Sequence, residues 1–207
     1  MNIHIIGDSH AHNGWEMIDR YQLQLYMNNI GPKLCYSFGR DKLNCLNIKK
    51  YNVENNGIVI FCFGEIDCRC HINKHVTKER TYQMIIDDIV ENYFKAIEEN
   101  VKQYDNLYIA VFNVVPPVEK YNTVEYEEFP FLGSDEERKG YVLYFNKKLE
   151  EYCNKYNYFF FNVYDKYCDS NGFLNKELSD SNVHILNPVY MKFMLELFLY
   201  NISMRMA

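Results

Sequence analysis

The chain has 207 residues, 48% hydrophobic and 16% aromatic, which suits one globular domain over residues 1–207 with a sizeable core and excludes a disordered chain. A formal net charge of -6 leaves no basic stripe to neutralise phosphates, so nucleic acid is not an expected partner. No apolar run reaches the length of a membrane span, and an apolar strand beginning at residue 3 leaves no room for a signal peptide, so no membrane partner and a cytoplasmic location are expected.

The chain opens on I-H-I-I-G-D-S-H, Ile3 to His10, where an apolar run stops at Gly7 and three polar residues follow at once. That is the pattern of a buried strand ending in a site-bearing turn, and Ser9 is its candidate nucleophile. A serine hydroxyl is weak at neutral pH and needs a histidine to take its proton and donors to hold the oxyanion, so the rest of the chain must supply them.

From Trp15 to Asn29 the apolar residues Trp15, Ile18, Tyr21, Leu25 and Tyr26 recur at three and four, which predicts an amphipathic helix ended by Gly31-Pro32. Leu34 to Phe38 then reads as the second strand, with Gly39 at its exit, and the Asn-rich residues 40–56 read as a surface loop. Gly57 to Phe63 is a continuous β-branched and aromatic run of the kind buried on both faces of a parallel sheet, and it ends in Gly64-Glu65-Ile66-Asp67. Within 77–104, helical spacing holds for more than five turns, and Leu107 to Val115 is a further strand closed by Pro116-Pro117.

Residues 119–133 are acidic and tyrosine-rich without a steady period, and are read as a solvated insertion, a substrate-facing lid being the other reading. Ser134 and Glu137 make a capping-box signature ahead of a helix through Val142, Phe145, Leu149 and Tyr152. Tyr158 to Tyr164 is the fifth strand candidate. A loop then leads to His184, and Asn187-Pro188 opens a last helix through Met191, Met194, Leu195, Phe198 and Ile202. Strands alternating with helices predict an α/β fold of about five parallel strands with helices on both faces, whose ligands sit beyond the carboxyl ends of the strands.

Seven cysteines without regular spacing read as free thiols of a reducing compartment. Cys62, Cys68, Cys70, His71 and His75 cluster in sequence, but Cys62 falls inside a strand and there is no second Cys-x-x-Cys, so no metal site is expected. No cofactor is expected either.

Gly7-Asp8-Ser9, Gly39, Gly64 to Asp67, and Asp180 with His184 resemble, in order and spacing, the blocks of the SGNH (GDSL-like) hydrolases, over nearly the whole chain. The resemblance implies a three-layer flavodoxin-like fold and hydrolysis of a small-molecule or carbohydrate acyl ester by a Ser-His-Asp triad. Ser9 would attack, His184 would be the base, Asp180 would hold its imidazole, and the N–H groups of Ser9 and Gly39 would face the oxyanion. Phe63 to Arg69, F-G-E-I-D-C-R, is similar to a branch found with glycan-processing proteins, which implies a sugar-linked acyl group.

The chain departs from the family pattern in two places. Ile66 stands where the family has an oxyanion-donating asparagine, and Asp180 lies four residues before the histidine rather than three. Arg69 is the expected replacement donor, reaching into the Ser9–His184 cleft, while pairing with Glu65 or Asp67 is its other role. Asp8, His10, Glu65 and Asp67 share the same edge and are candidates for substrate contact, although Asp67 reads first as an acceptor of backbone N–H bonds in a buried turn and Asp8 as a cap of its turn or the following helix.

Three further functions stay open: acyl transfer to a sugar, a glycan-binding module with little turnover, and a metallophosphatase. The last rests on Asp8-Ser9-His10 alone, since the later metal-binding blocks of that class are missing.

Overall fold

The computed structural model describes residues 2–18 and 23–206. Five strands, β1 (Asn2–Gly7), β2 (Gln24–Asn29), β3 (Ile58–Cys62), β4 (Tyr108–Phe112) and β5 (Phe159–Phe161), pair in parallel in the order β2-β1-β3-β4-β5. This is the flavodoxin-like order, in which the chain leaves β1 in opposite directions toward β2 and β3 and opens a crevice at their carboxyl ends. The expected three-layer α/β architecture is therefore present.

Alternation along the strands builds two cores. Ile6, Val59, Phe61 and Val111 face helices α1 (Cys35–Asp41), α2 (Ile72–His75), α3 (Tyr82–Val101) and α4 (Asp135–Tyr156). Ile3, Ile5, Ile58, Ile60 and Phe112 face the other way, onto Trp15 and the inner side of the last helix, where Met191, Leu195, Phe198 and Ile202 recur at four, three and four. A short helix, α5 (Tyr164–Tyr167), follows β5, and α6 (Val189–Met206) ends the fold. Both α3 and α4 begin at local caps. Thr81 accepts from the Met84 N–H, and Ser134 with Glu137 forms the full capping box.

Two expected elements are replaced. Residues 15–17 form a single tight turn rather than a helix, and 24–29 are the edge strand β2; Tyr21 lies outside the described residues. Leu25 and Met27 alternate into the Trp15 core, so a period of two was hidden inside a three-and-four spacing. Leu34 to Phe38 is not a strand but the start of α1. Short apolar runs do not distinguish a buried strand from a buried helix, and the cap that starts α1 comes from far away: the Asp67 carboxylate accepts the Cys35 and Tyr36 N–H groups at 2.6 and 3.0 Å.

Gly39 consequently lies in the middle of α1, where a Cβ would sit 3.0 Å from the α3 backbone at Asn92 and Tyr93. Its role is close helix packing. Among the described residues no helix is long and apolar enough to cross a membrane.

Candidate active site

The end of β1 is held against β3 so closely that a Cβ on Gly7 would lie 1.8 Å from the Cys62 carbonyl oxygen. The Asp8 N–H donates to that same carbonyl, which turns the chain sharply away from the sheet. The Asp8 carboxylate then caps the tight turn Ser9–Ala11, accepting from the His10 N–H at 2.9 Å. Ser9 is thereby presented at the mouth of the crevice beyond β1.

His184 is delivered by a closed turn at the other end of the sequence. Asp180 accepts the Asn182 and His184 N–H groups on Oδ1, its own N–H donates to the His184 carbonyl, and Ser181 takes a left-handed conformation at φ 65°. This turn absorbs the extra residue between Asp180 and His184. Asp180 Oδ2 lies 2.7 Å from His184 Nδ1, and His184 Nε2 lies 2.8 Å from Ser9 Oγ. A carboxylate only accepts, so Nδ1 carries the ring proton and Nε2 presents its lone pair to the serine hydroxyl.

Burial, reinforced by the neighbouring His10, lowers the His184 pKa below the usual histidine value, against the pull of Asp180. Burial acts on Asp180 in the opposite sense, but its bonds from the His184 ring and the Asn182 and His184 amides hold it below the usual carboxylate value. The row is thus poised with a neutral imidazole and an ionised carboxylate.

A cavity of about 420 Å³ opens beside Ser9 and His184, with Pro32, Ile66, Val124, Tyr126, Phe129 and Val183 giving it an apolar lining. Four of its residues, Val124, Tyr126, Glu128 and Phe129, belong to the 119–133 segment. That segment is therefore a strap over the site and not a solvated insertion. Thr123 ties it to the histidine turn by donating to Asn182 Oδ1 at 2.7 Å.

Arg69 also borders the cavity, but its guanidinium is spent elsewhere. Nε and Nη2 donate to Glu65 at 2.6 and 3.0 Å, Nη1 donates to the Phe129 carbonyl at 2.9 Å, and the Leu132 N–H donates back to the Arg69 carbonyl. The cation also lies over the Phe129 and Phe131 rings. Arg69 is the latch of the strap and not an oxyanion donor in this arrangement. The buried Glu65 carboxylate, immobilised by the same pairing, is held low despite burial.

Asp8 and Asp67 accept backbone amides, as their capping reading expects, and the substrate contacts expected of His10 and Glu65 are replaced. All four are buried, none lines the cavity, and each is committed to a protein partner. Burial pushes Asp67 up to about 7 against the two α1 amides that favour its charge.

The glycine that does reach the cavity is Gly31, just past β2, with φ 85° and open space where a Cβ would be. Its N–H is accepted by Asn29 Oδ1 at 2.9 Å, whereas the Ser9 N–H has no hydrogen bond among the described residues. Gly31-Pro32 was visible in the sequence as a stop signal, but identifying it with the site required knowing that a strand precedes it.

The cysteine and histidine cluster stays separate from this chemistry. Cys62, Cys68 and Cys70 are free buried thiols pushed upward by burial, Cys70 to about 11. Among the described residues no group of three His, Cys, Asp or Glu side chains is placed to hold a metal. Asp8 and His10 are bonded to one another, and His10 Nε2 is taken by the Val183 carbonyl, so no ring nitrogen is free to ligate one there.

No protein-family model matches the sequence, and a search of curated proteins finds no significant match. Solved structures do match. A GDSL-like lipase from Bacteroides thetaiotaomicron superposes with a TM-score of 0.62 at 12% identity, covering 97% of this chain and 88% of its own. A catalytic mutant of an acetylxylan esterase from Geobacillus stearothermophilus superposes with a TM-score of 0.60 at 10% identity, covering 95% and 93%. This chain therefore shares its fold with solved structures described as a GDSL-like lipase and an acetylxylan esterase.

Proposed function

We propose that the protein is a serine hydrolase of carboxylic esters. The observation that carries this reading is the unbroken row Ser9 Oγ, His184 Nε2, His184 Nδ1 and Asp180 Oδ2, at spacings of 2.8 and 2.7 Å, beside an apolar cavity at the carboxyl ends of β1 and β3. Ser9 attacks the ester carbonyl while His184 takes its proton, and His184 then returns that proton to the departing alcohol. Water, activated by the same imidazole, releases the acid from Ser9. Asp180 keeps the proton on Nδ1 and stabilises the imidazolium that forms.

The free Ser9 N–H is the first oxyanion donor, and the Gly31 N–H is the second once it leaves the Asn29 side chain. Ile66 supplies none. Loss of one donor costs about 10²–10³ in turnover, so modest rates are expected.

The cavity suits the acyl part of the substrate. A larger polar groove of about 850 Å³ shares Asn182 with it and is bordered by Tyr121, Asn122, Asp169, Asn175, Lys176 and Glu177, which favours a polyhydroxylated alcohol such as a carbohydrate as the other half. Hydrolysis of p-nitrophenyl acetate by wild type and by Ser9→Ala tests the reading. A large loss in the variant supports it, and equal rates overturn it. A folded protein whose Ser9 resists a fluorophosphonate probe would instead be a binding module built on the same fold.

A further inference from the structure

His10 lies outside the Ser9, His184 and Asp180 row yet meets it twice. Its ring is packed against that of His184, with centroids 4.8 Å apart, and its Nε2 lies 3.1 Å from the carbonyl of Val183, the peptide that leads into His184. On its other side Nδ1 lies 3.1 Å from Asp8 Oδ1. Both ring nitrogens therefore face oxygens that only accept. A neutral imidazole has one N–H, so either tautomer would press a nitrogen lone pair against a carboxylate or a carbonyl. Only the doubly protonated ring satisfies both. Asp8 asks for the same answer, because its carboxylate is fully buried, its Oδ2 has no hydrogen-bond partner, and an unpaired buried carboxylate is costly.

We propose that His10 is a positioning residue held as a buried imidazolium, which clamps the His184 backbone through the Val183 carbonyl and faces the His184 ring with a fixed positive charge. The proposal rests on the reading of His184 as the general base. Its consequence is that His184 stays neutral, able to accept the Ser9 proton, into mildly acidic solution.

The charged and titratable groups around His10 are Asp8 on its own turn, Glu65 beyond β3 with Arg69 behind it, and His184 with Asp180 behind it on the loop before α6. Burial alone would lower the His10 pKa, but Asp8, Glu65 and the Val183 carbonyl more than offset it, so the net direction is upward. His184 shifts the opposite way, as two rings in contact must when one holds the charge.

Nitrogen-15 NMR of the histidine rings tests this directly. At pH 7 the wild-type protein should show protons on both His10 nitrogens and a His184 midpoint below 6.5. In His10→Gln, whose amide can still donate to the Val183 carbonyl, the His184 midpoint should rise by about one pH unit, and the acid limb of kcat/KM should rise with it. A singly protonated His10 in the wild type, or an unmoved His184 midpoint in the folded variant, overturns the proposal. If the variant does not fold, the wild-type ring state decides alone, two protons supporting and one overturning. The ring titrations need no turnover. The predicted shifts in a protein without esterase activity would uphold the charge on His10 and remove the hydrolase reading.

Discussion

In the proposed hydrolase Ser9 can act only while His184 Nε2 has a lone pair to offer, so the environment of one imidazole would set the working pH range. Its pKa lies below the usual 6.5. At pH 6.5 more than half of His184 is therefore neutral, so the acid limb of kcat/KM for a neutral ester is expected to have its midpoint below 6.5. The sign for stability agrees: a histidine depressed on folding costs nothing well above 6.5 and subtracts from stability as pH falls through that value. A pH-rate profile with its acid limb above 6.5 would contradict the site's electrostatics. Replacing Asp180 by Asn removes the acceptor that selects the Nδ1–H tautomer, and kcat should fall by roughly 10²–10⁴ with little change in KM. Ile66→Asn restores a side-chain donor at the cavity wall and should raise kcat by about tenfold or more, measured on the same ester.

Among the elements, the strap and α1 carry the clearest consequences. Arg69→Ala strands Glu65 as an uncompensated buried carboxylate and unlatches Phe129 and Phe131. It should cost about 3–5 kcal/mol in urea unfolding, with weaker substrate binding. Gly39→Ala drives a methyl group to 3.0 Å from the α3 backbone and should cost about 1–3 kcal/mol while leaving kcat of the folded enzyme unchanged. Elements with a local signal are legible in the sequence, and those fixed by a distant neighbour are not. The buried run of β3, the long period of α3 and the capping box of α4 are local signals, and each produced its element. The α1 cap is supplied by Asp67, a neighbour only in space, and β2 is a strand because it pairs along β1. Neither cause is written in the residues of the element itself.

Across the whole molecule, the site is a meeting of chain ends. Ser9 stands beyond the first strand and His184 before the last helix, 175 positions apart, and the parallel sheet brings both to one edge. The meeting of Ser9, Asp180 and His184 is legible because the order and spacing of these residues resemble the family's blocks, and order and spacing are properties of the chain. The partners around them are not. Gly39 reads as the oxyanion glycine in sequence because the second strand reads ten residues late, and the same displacement hides Gly31. His10 and Glu65 read as contacts because polar residues at a strand end suggest a ligand, whereas here His10 is bonded to Asp8 and Val183 and Glu65 to Arg69. The strap's role depends on residues 60 positions apart, Arg69 and Phe129, and has no signature of its own.

Fluorophosphonate labelling followed by peptide mass mapping reads out whether Ser9 is a nucleophile activated by His184. One adduct is expected, on Ser9, absent from Ser9→Ala and formed at least about a hundredfold more slowly in His184→Ala. A folded wild-type protein that stays unlabelled, or an adduct that persists in Ser9→Ala, would contradict this role of Ser9.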